Sequence, residues 1–158
     1  MAEFSCPDSG TKMSTYMTER MEQPEIRPEW RDEEGCGQRS EALHYSKIDN
    51  IEETEFIIIV LRRLVNFGNG PTILRNNVLL DKEVQLKDLQ NQSSKFRPLA
   101  VIFHIGNVQG QEAYGHYKAD VRNLDGNWYR TSDDMMPKKI QDDEVSDQGY
   151  IFLYQKVH

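Results

Sequence analysis

The sequence is poor in cysteine, in basic charge and in long apolar runs, and each shortage closes off a class of function. Only two cysteines occur, Cys6 and Cys36, and the four histidines His44, His104, His116 and His158 show no ligand spacing. A structural zinc site takes about four Cys or His ligands, so neither a metal nor any other cofactor is expected. Lys and Arg number 19 against 26 Asp and Glu, leaving a formal net charge of −7. That sign is wrong for a nucleic-acid or anionic-membrane surface and suits a basic partner. The longest apolar run, Phe56 to Leu61, is far short of the roughly 20 residues that span a bilayer. No basic-then-apolar leader opens the chain, so the expected compartment is intracellular, cytoplasmic or nuclear, where cysteines stay reduced.

What is present reads as one domain behind a polar leader. Residues 1–40 are irregular and rich in Ser, Thr and Glu, with Pro7, Pro24 and Pro28, and are expected to be disordered. Within them Met13, Tyr16, Met17 and Met21 recur at helical spacing, the packing stripe of a short helix. From 41 to 158 the signals are those of strands. Phe56 to Leu64 is a buried strand, Asn66 to Pro71 a turn, and Val78 to Leu89 an imperfect alternation. Phe96 to Phe103 is short, branched and unbroken, so it reads as a strand buried on both faces in the middle of a sheet. Pro98 near its start suits a first strand position.

After this strand the pattern dissolves into loop composition from His104 to Tyr114. Alternation resumes past Gly115, with His116, Lys118, Asp120 and Arg122 on a polar face and Tyr117, Ala119 and Val121 on the other. Asp125-Gly126 signals a two-residue hairpin, which pairs 120 with 131 and sets His116 opposite Met135. Asp133 then lies one diagonal step from His116, roughly 7–8 Å or less, where a carboxylate would orient a catalytic imidazole. A one-residue bulge would hand that place to Ser132 or Asp134. Asp142 to Asp147 is an acidic surface run, and Gly149 to Tyr154 a closing strand.

The order F-x-x-L-A-V-I-x-H-x-G (Phe96 to Gly106), a glycine-bearing loop, G-H-Y (Gly115 to Tyr117), W-Y-x-x-S-D-D (Trp128 to Asp134) and Y-I-F-L-Y (Tyr150 to Tyr154) resembles the C-terminal half of a ubiquitin-specific protease catalytic domain. Phe56 to Leu64 is similar to that family's buried strand ending in Leu-Lys-Arg-Phe. The resemblance covers roughly residues 36 to 157. It implies an α+β fold, the palm half of a papain-like cysteine protease, built mainly of antiparallel sheet. It also implies ubiquitin or a ubiquitinated protein as partner.

On this resemblance His116 matches the catalytic histidine. The family's orienting Asp or Asn falls on Ser132 and its following Asp on Asp133. Gly106, Gly110, Tyr114, Gly115 and Tyr117 belong to the loop that gates the channel for ubiquitin's C-terminal tail. Cys36 stands where the family often has the second cysteine of a zinc-binding C-x-x-C, but the first position is Glu33.

A thiol protease also needs a thiolate nucleophile. The family supplies it from a box resembling G-N-T-C-[YF], and no such box is present. Cys6 lies in EFSCPDSG and is followed by Pro7. The expectation is a truncated or split deubiquitinase whose cysteine-bearing half comes from elsewhere. The competing readings are a ubiquitin-binding module without catalysis and a β-rich interaction domain that no longer touches ubiquitin.

Overall fold

The computed structural model describes residues 2–23, 25–31, 39–44, 46–66, 70–109, 112–133 and 135–158. The chain begins with β1 (Ala2–Ser5), β2 (Thr11–Lys12) and the helix α1 (Met13–Glu22), then β3 (Glu25–Arg31) and β4 (Arg39–His44). β5 (Phe56–Arg62) is followed by the short strands β6 (Leu64–Asn66), β7 (Pro71–Ile73), β8 (Val78–Leu79) and β9 (Val84–Lys87). The C-terminal part holds β10 (Ser93–Gln109), β11 (Glu112–Arg122), β12 (Trp128–Thr131), β13 (Lys138–Ile140), a 3₁₀ turn (Asp142–Glu144) and β14 (Gly149–Lys156). Eight strands form one sheet in the order β1-β5-β14-β10-β11-β12-β13, with β9 also on β10. Among the described residues, β1–β5 is the one parallel pair of this sheet, and the separate β2–β8 pair is also parallel.

The central strand is β10, as the apolar run from Leu99 to Phe103 requires, but it is not buried on both faces. Val101 and Phe103 are buried while Ala100 and Ile102 are half-covered. Alternation along neighbouring strands gives one core face, where Ile59, Phe152 and Val101 sit side by side with no exposure. Pro98 lies inside β10 rather than at its start. It falls between the stretch paired with β9, ending at Phe96, and the stretch paired with β11, starting at Ala100. A register shift against β14 occurs at the same point, so the missing N–H interrupts little.

Residues 2–22 are built into the core, which corrects the expectation of a disordered leader. Met13 and Met17 are fully buried, and Tyr16 and Met21 nearly so, against a cluster that includes Ile57, Leu61, Val84 and Phe96. β1 extends the sheet and Phe4 meets Tyr16 edge to face at 6.1 Å. Asp81 accepts the Ser14 N–H at 2.9 Å and closes the helix start from a distant part of the chain. Polar composition yields here to the four-residue apolar stripe, whose burial against the core stabilises a helix that local propensity alone would leave marginal.

Two buried charges brace the sheet. The guanidinium of Arg63 is 1% exposed and donates to the carbonyls of Gly149 (2.7 Å), Leu74 (3.1 Å), Asn76 (2.7 Å) and Asp147 (3.5 Å). Burial pushes its pKa down, with Cys6, Tyr150 and Asp147 opposing. Asp120 has no exposure and pairs with Arg130 in a two-pronged contact of 2.7 and 2.9 Å. The face carrying His116, Lys118 and Asp120 is therefore the inner one, against the expectation that it faces solvent, while Tyr117 on the other face is 58% exposed. Charged residues alternating with small or aromatic ones cannot announce which side is inside when the buried charge carries its own partner.

If α1 belongs to the core, Met17→Ala leaves a cavity and lowers stability by about 2–5 kcal/mol. Urea unfolding followed by circular dichroism reads this directly, and an unchanged midpoint would mean that the helix does not pack as described.

Candidate active site

β10 and β11 pair in an unbroken ladder from Ala100–Val121 to Gln109–Glu112, which places Ile105 opposite His116 and Gly106 opposite Gly115. The segment from His104 to Tyr114, expected as a loop, is thus mostly ladder. Its polar residues extend a pairing already set by the apolar half of β10, since strand propensity yields to context. Gly110 lies outside the described residues.

The two glycines are needed for close approach. A Cβ on Gly115 would lie 2.3 Å from His104 Nε2, and one on Gly106 would lie 2.0 Å from the Tyr114 carbonyl oxygen. The His104 ring fills the space they leave, packed against Tyr117 at 4.9 Å and Tyr150 at 6.0 Å. Its Nδ1 is buried and has no hydrogen-bond partner among the described residues. Burial, chiefly, raises the Tyr150 phenol above its ordinary value. His104 and Tyr150 stand in recognisable sequence patterns, yet nothing in the sequence marks them as neighbours of each other and of Tyr117, because their meeting depends on β14 lying beside β10.

β11 and β12 pair from Arg122–Trp128 to Ala119–Thr131, one residue away from the register that a two-residue turn predicts. The loop has three residues, Leu124, Asp125 and Gly126, closed by the Asn123 N–H on the Asn127 carbonyl at 2.9 Å. Gly126 sits at φ 81°, as the last residue of such loops requires. Ser132 leaves the ladder. Asp133 adopts φ 45° and the Met135 N–H closes the turn on the Ser132 carbonyl at 3.0 Å.

The turn brings two side chains to one nitrogen. His116 Nε2 is 2.6 Å from Ser132 Oγ and 3.2 Å from Asp133 Oδ2. Ser132 makes the shorter and less exposed contact; the Asp133 side chain is 73% exposed, where an ion pair contributes little. With Nε2–H donating to Ser132, Nδ1 is the lone-pair nitrogen that can take a proton. Asp134, the remaining alternative, lies outside the described residues.

Cys6 is far from this pair. It follows β1, and β5, β14 and β10 separate that strand from β11, four spacings or about 19 Å at 4.8 Å each. Its Sγ contacts the Pro7 carbonyl at 3.7 Å. Burial pushes the thiol pKa up, with Arg63 partly offsetting it, the reverse of what activates a nucleophile. Cys36 and Glu33 lie outside the described residues. Among the described residues, no three His, Cys, Asp or Glu side chains gather as a metal site needs, and no helix is long and apolar enough to cross a membrane.

No family model matches the chain. Among curated proteins, ubiquitin carboxyl-terminal hydrolase 43 of Homo sapiens is 49% identical over 59 residues, 36% of this chain and 5% of its own length. Ubiquitin carboxyl-terminal hydrolase 24 of Arabidopsis thaliana is 29% identical over 118 residues, 71% of this chain and 21% of its own. The chain therefore spans about a fifth or less of these relatives. Among solved structures, the SAGA Ubp8/Sgf11/Sus1/Sgf73 DUB module bound to ubiquitin aldehyde matches with a TM-score of 0.70 at 17% identity, covering 99% of this chain and 36% of the other. By sequence and fold, this chain is related to the ubiquitin carboxyl-terminal hydrolases, with the mainly antiparallel, papain-like architecture of the C-terminal half of their catalytic domain.

Proposed function

We propose that the chain is the histidine-bearing half of a deubiquitinase, which hydrolyses the bond after ubiquitin's terminal glycine once a cysteine-bearing segment outside residues 1–158 completes the site. The observation that carries this reading is the 2.6 Å contact between His116 Nε2 and Ser132 Oγ. In this reading Nε2–H donates to Ser132, which leaves Nδ1 as the lone-pair nitrogen available to take the thiol proton. His116 takes the thiol proton, the thiolate attacks the carbonyl carbon, and the protonated imidazole returns the proton to the departing amine. Water then cleaves the thioester with His116 as base again. Ser132 holds the ring and Asp133 adds a weaker, exposed contact.

The space that Gly106 and Gly115 leave is taken by His104, so in this reading the exposed Tyr114 and Tyr117 beside the pair are the surface that an extended glycine-ended tail would meet. Gly110 completes the same hairpin in the sequence. The negative net charge suits a basic partner, and the work is intracellular, in cytoplasm or nucleus.

A second reading is favoured by the position of Cys6: a ubiquitin-binding module that recognises its ligand without cutting. The two separate in a mixture of this chain with the cysteine-bearing part of a ubiquitin carboxyl-terminal hydrolase, assayed on a fluorogenic ubiquitin substrate. Under the first reading the mixture hydrolyses it, His116→Ala lowers the rate about 10²–10⁴-fold, and Ser132→Ala lowers it about tenfold, the worth of one neutral hydrogen bond. Ubiquitin binding without hydrolysis supports the second reading; neither binding nor hydrolysis overturns both.

The raised thiol pKa of Cys6 gives a further expectation. Iodoacetamide alkylates it more slowly at pH 7 than it does free cysteine, with the rate still rising above pH 9. Fast modification of Cys6 at neutral pH, read by mass mapping of its peptide, would show a thiolate and remove the ground for seeking the nucleophile elsewhere.

A further inference from the structure

Asp120 is a charged side chain with no exposure, four residues from His116 on the same face of β11. Its oxygens accept from Arg130 Nε (2.7 Å) and Nη2 (2.9 Å), and the Ser146 N–H donates to Oδ2 at 2.7 Å. Arg130 Nη2 also donates to the Glu144 carbonyl at 2.7 Å, and the guanidinium lies 5.1 Å from the centre of the Phe103 ring. Arg130 in turn stands on the same face of β12 as Ser132, two residues on. The β11–β12 ladder ends one rung past this ion pair, at Ala119–Thr131. Among the described residues, the contacts to His116 from this turn are made by Ser132 and Asp133, beyond the last rung, and the Asp120–Arg130 pair is a side-chain cross-link one rung behind it.

The loop chemistry does not select this register by itself. Asp125-Gly126 also suits a two-residue turn, which would set Asp120 opposite Thr131 and turn Arg130 to the other face, since a one-residue slip reverses every side chain. In that register Asp120 would be a buried carboxylate without its cation, and Ser132 would leave the place it holds at Nε2. The ion pair exists only in the register that gives His116 its serine.

We infer that Asp120 is a positioning residue: through Arg130 it holds the end of β12 where Ser132 Oγ meets His116 Nε2. The inference rests on the reading of His116 as the base, yet its physical content, the state of one imidazole, can be read without ubiquitin, thiol or turnover. The test is nitrogen-15 NMR of the His116 ring in the intact chain above its titration range, compared among wild type, Asp120→Asn, Arg130→Lys and Val84→Ala.

Wild type shows a single Nε2–H tautomer with a slowly exchanging ring proton. Asp120→Asn and Arg130→Lys, which keeps the charge but loses the fork, give a tautomer mixture and at least tenfold faster exchange. Val84→Ala lowers the unfolding midpoint and leaves the His116 signals unchanged, which separates positioning from general loss of stability. Folded Arg130→Lys or Asp120→Asn with wild-type His116 signals overturns the inference. Absent hydrolysis in the reconstituted mixture, with these signals behaving as stated, sinks the functional reading and leaves the positioning role standing.

Discussion

β10 is the strand on which the remaining sheet depends. It pairs with β14 along one edge and with β9 and then β11 along the other, so the core face, the helix and the hairpin bearing His116 all take their places from it. This arrangement suits a strand of 17 residues with one apolar stretch in its middle. The apolar part sets register against β14 and β11, and the polar part beyond His104 is drawn into the ladder because its neighbours on β11 are already fixed. Towards the far end of that ladder lie the Gly106–Gly115 pair and His116.

Three charged groups inside the fold divide the labour of holding it. Arg63 gathers carbonyls from the segment between β7 and β8, from Asp147 and from the start of β14. Asp88, also buried, accepts the backbone N–H groups of Gln90 and Gln92 and caps the turn before β10. Asp120 ties β11 to β12 and to Ser146. Each is satisfied by fixed donors or acceptors, which is the condition under which a buried charge specifies a structure instead of weakening it. These clasps act on loops and strand ends, where the apolar core does not reach.

Much of this was legible in the sequence, and the misses have identifiable causes. The strands at Phe56, Phe96 and Gly149 were visible as runs of branched and aromatic residues. The placement of His116 beside Ser132 followed the motif spacing, whereas hairpin arithmetic favoured Asp133, because Asp-Gly serves a three-residue loop as well as a two-residue one. The inner face of β11 was misjudged because a buried Asp120 looks solvent-facing until Arg130 is seen across from it. The leader at 1–40 was read by composition, and four apolar residues at helical spacing, Met13, Tyr16, Met17 and Met21, decided otherwise for residues 2–22. The company kept by His104 could not be read at all, since it depends on which strands become neighbours.

The central claim is that this chain supplies the base and its orienting serine but no nucleophile. It is tested most directly by incubating the purified chain with ubiquitin bearing a thiol-reactive C-terminal warhead and measuring intact mass. The account predicts an unmodified chain, with Cys6 about four strand spacings from His116; a covalent adduct on Cys6 or Cys36 would contradict it.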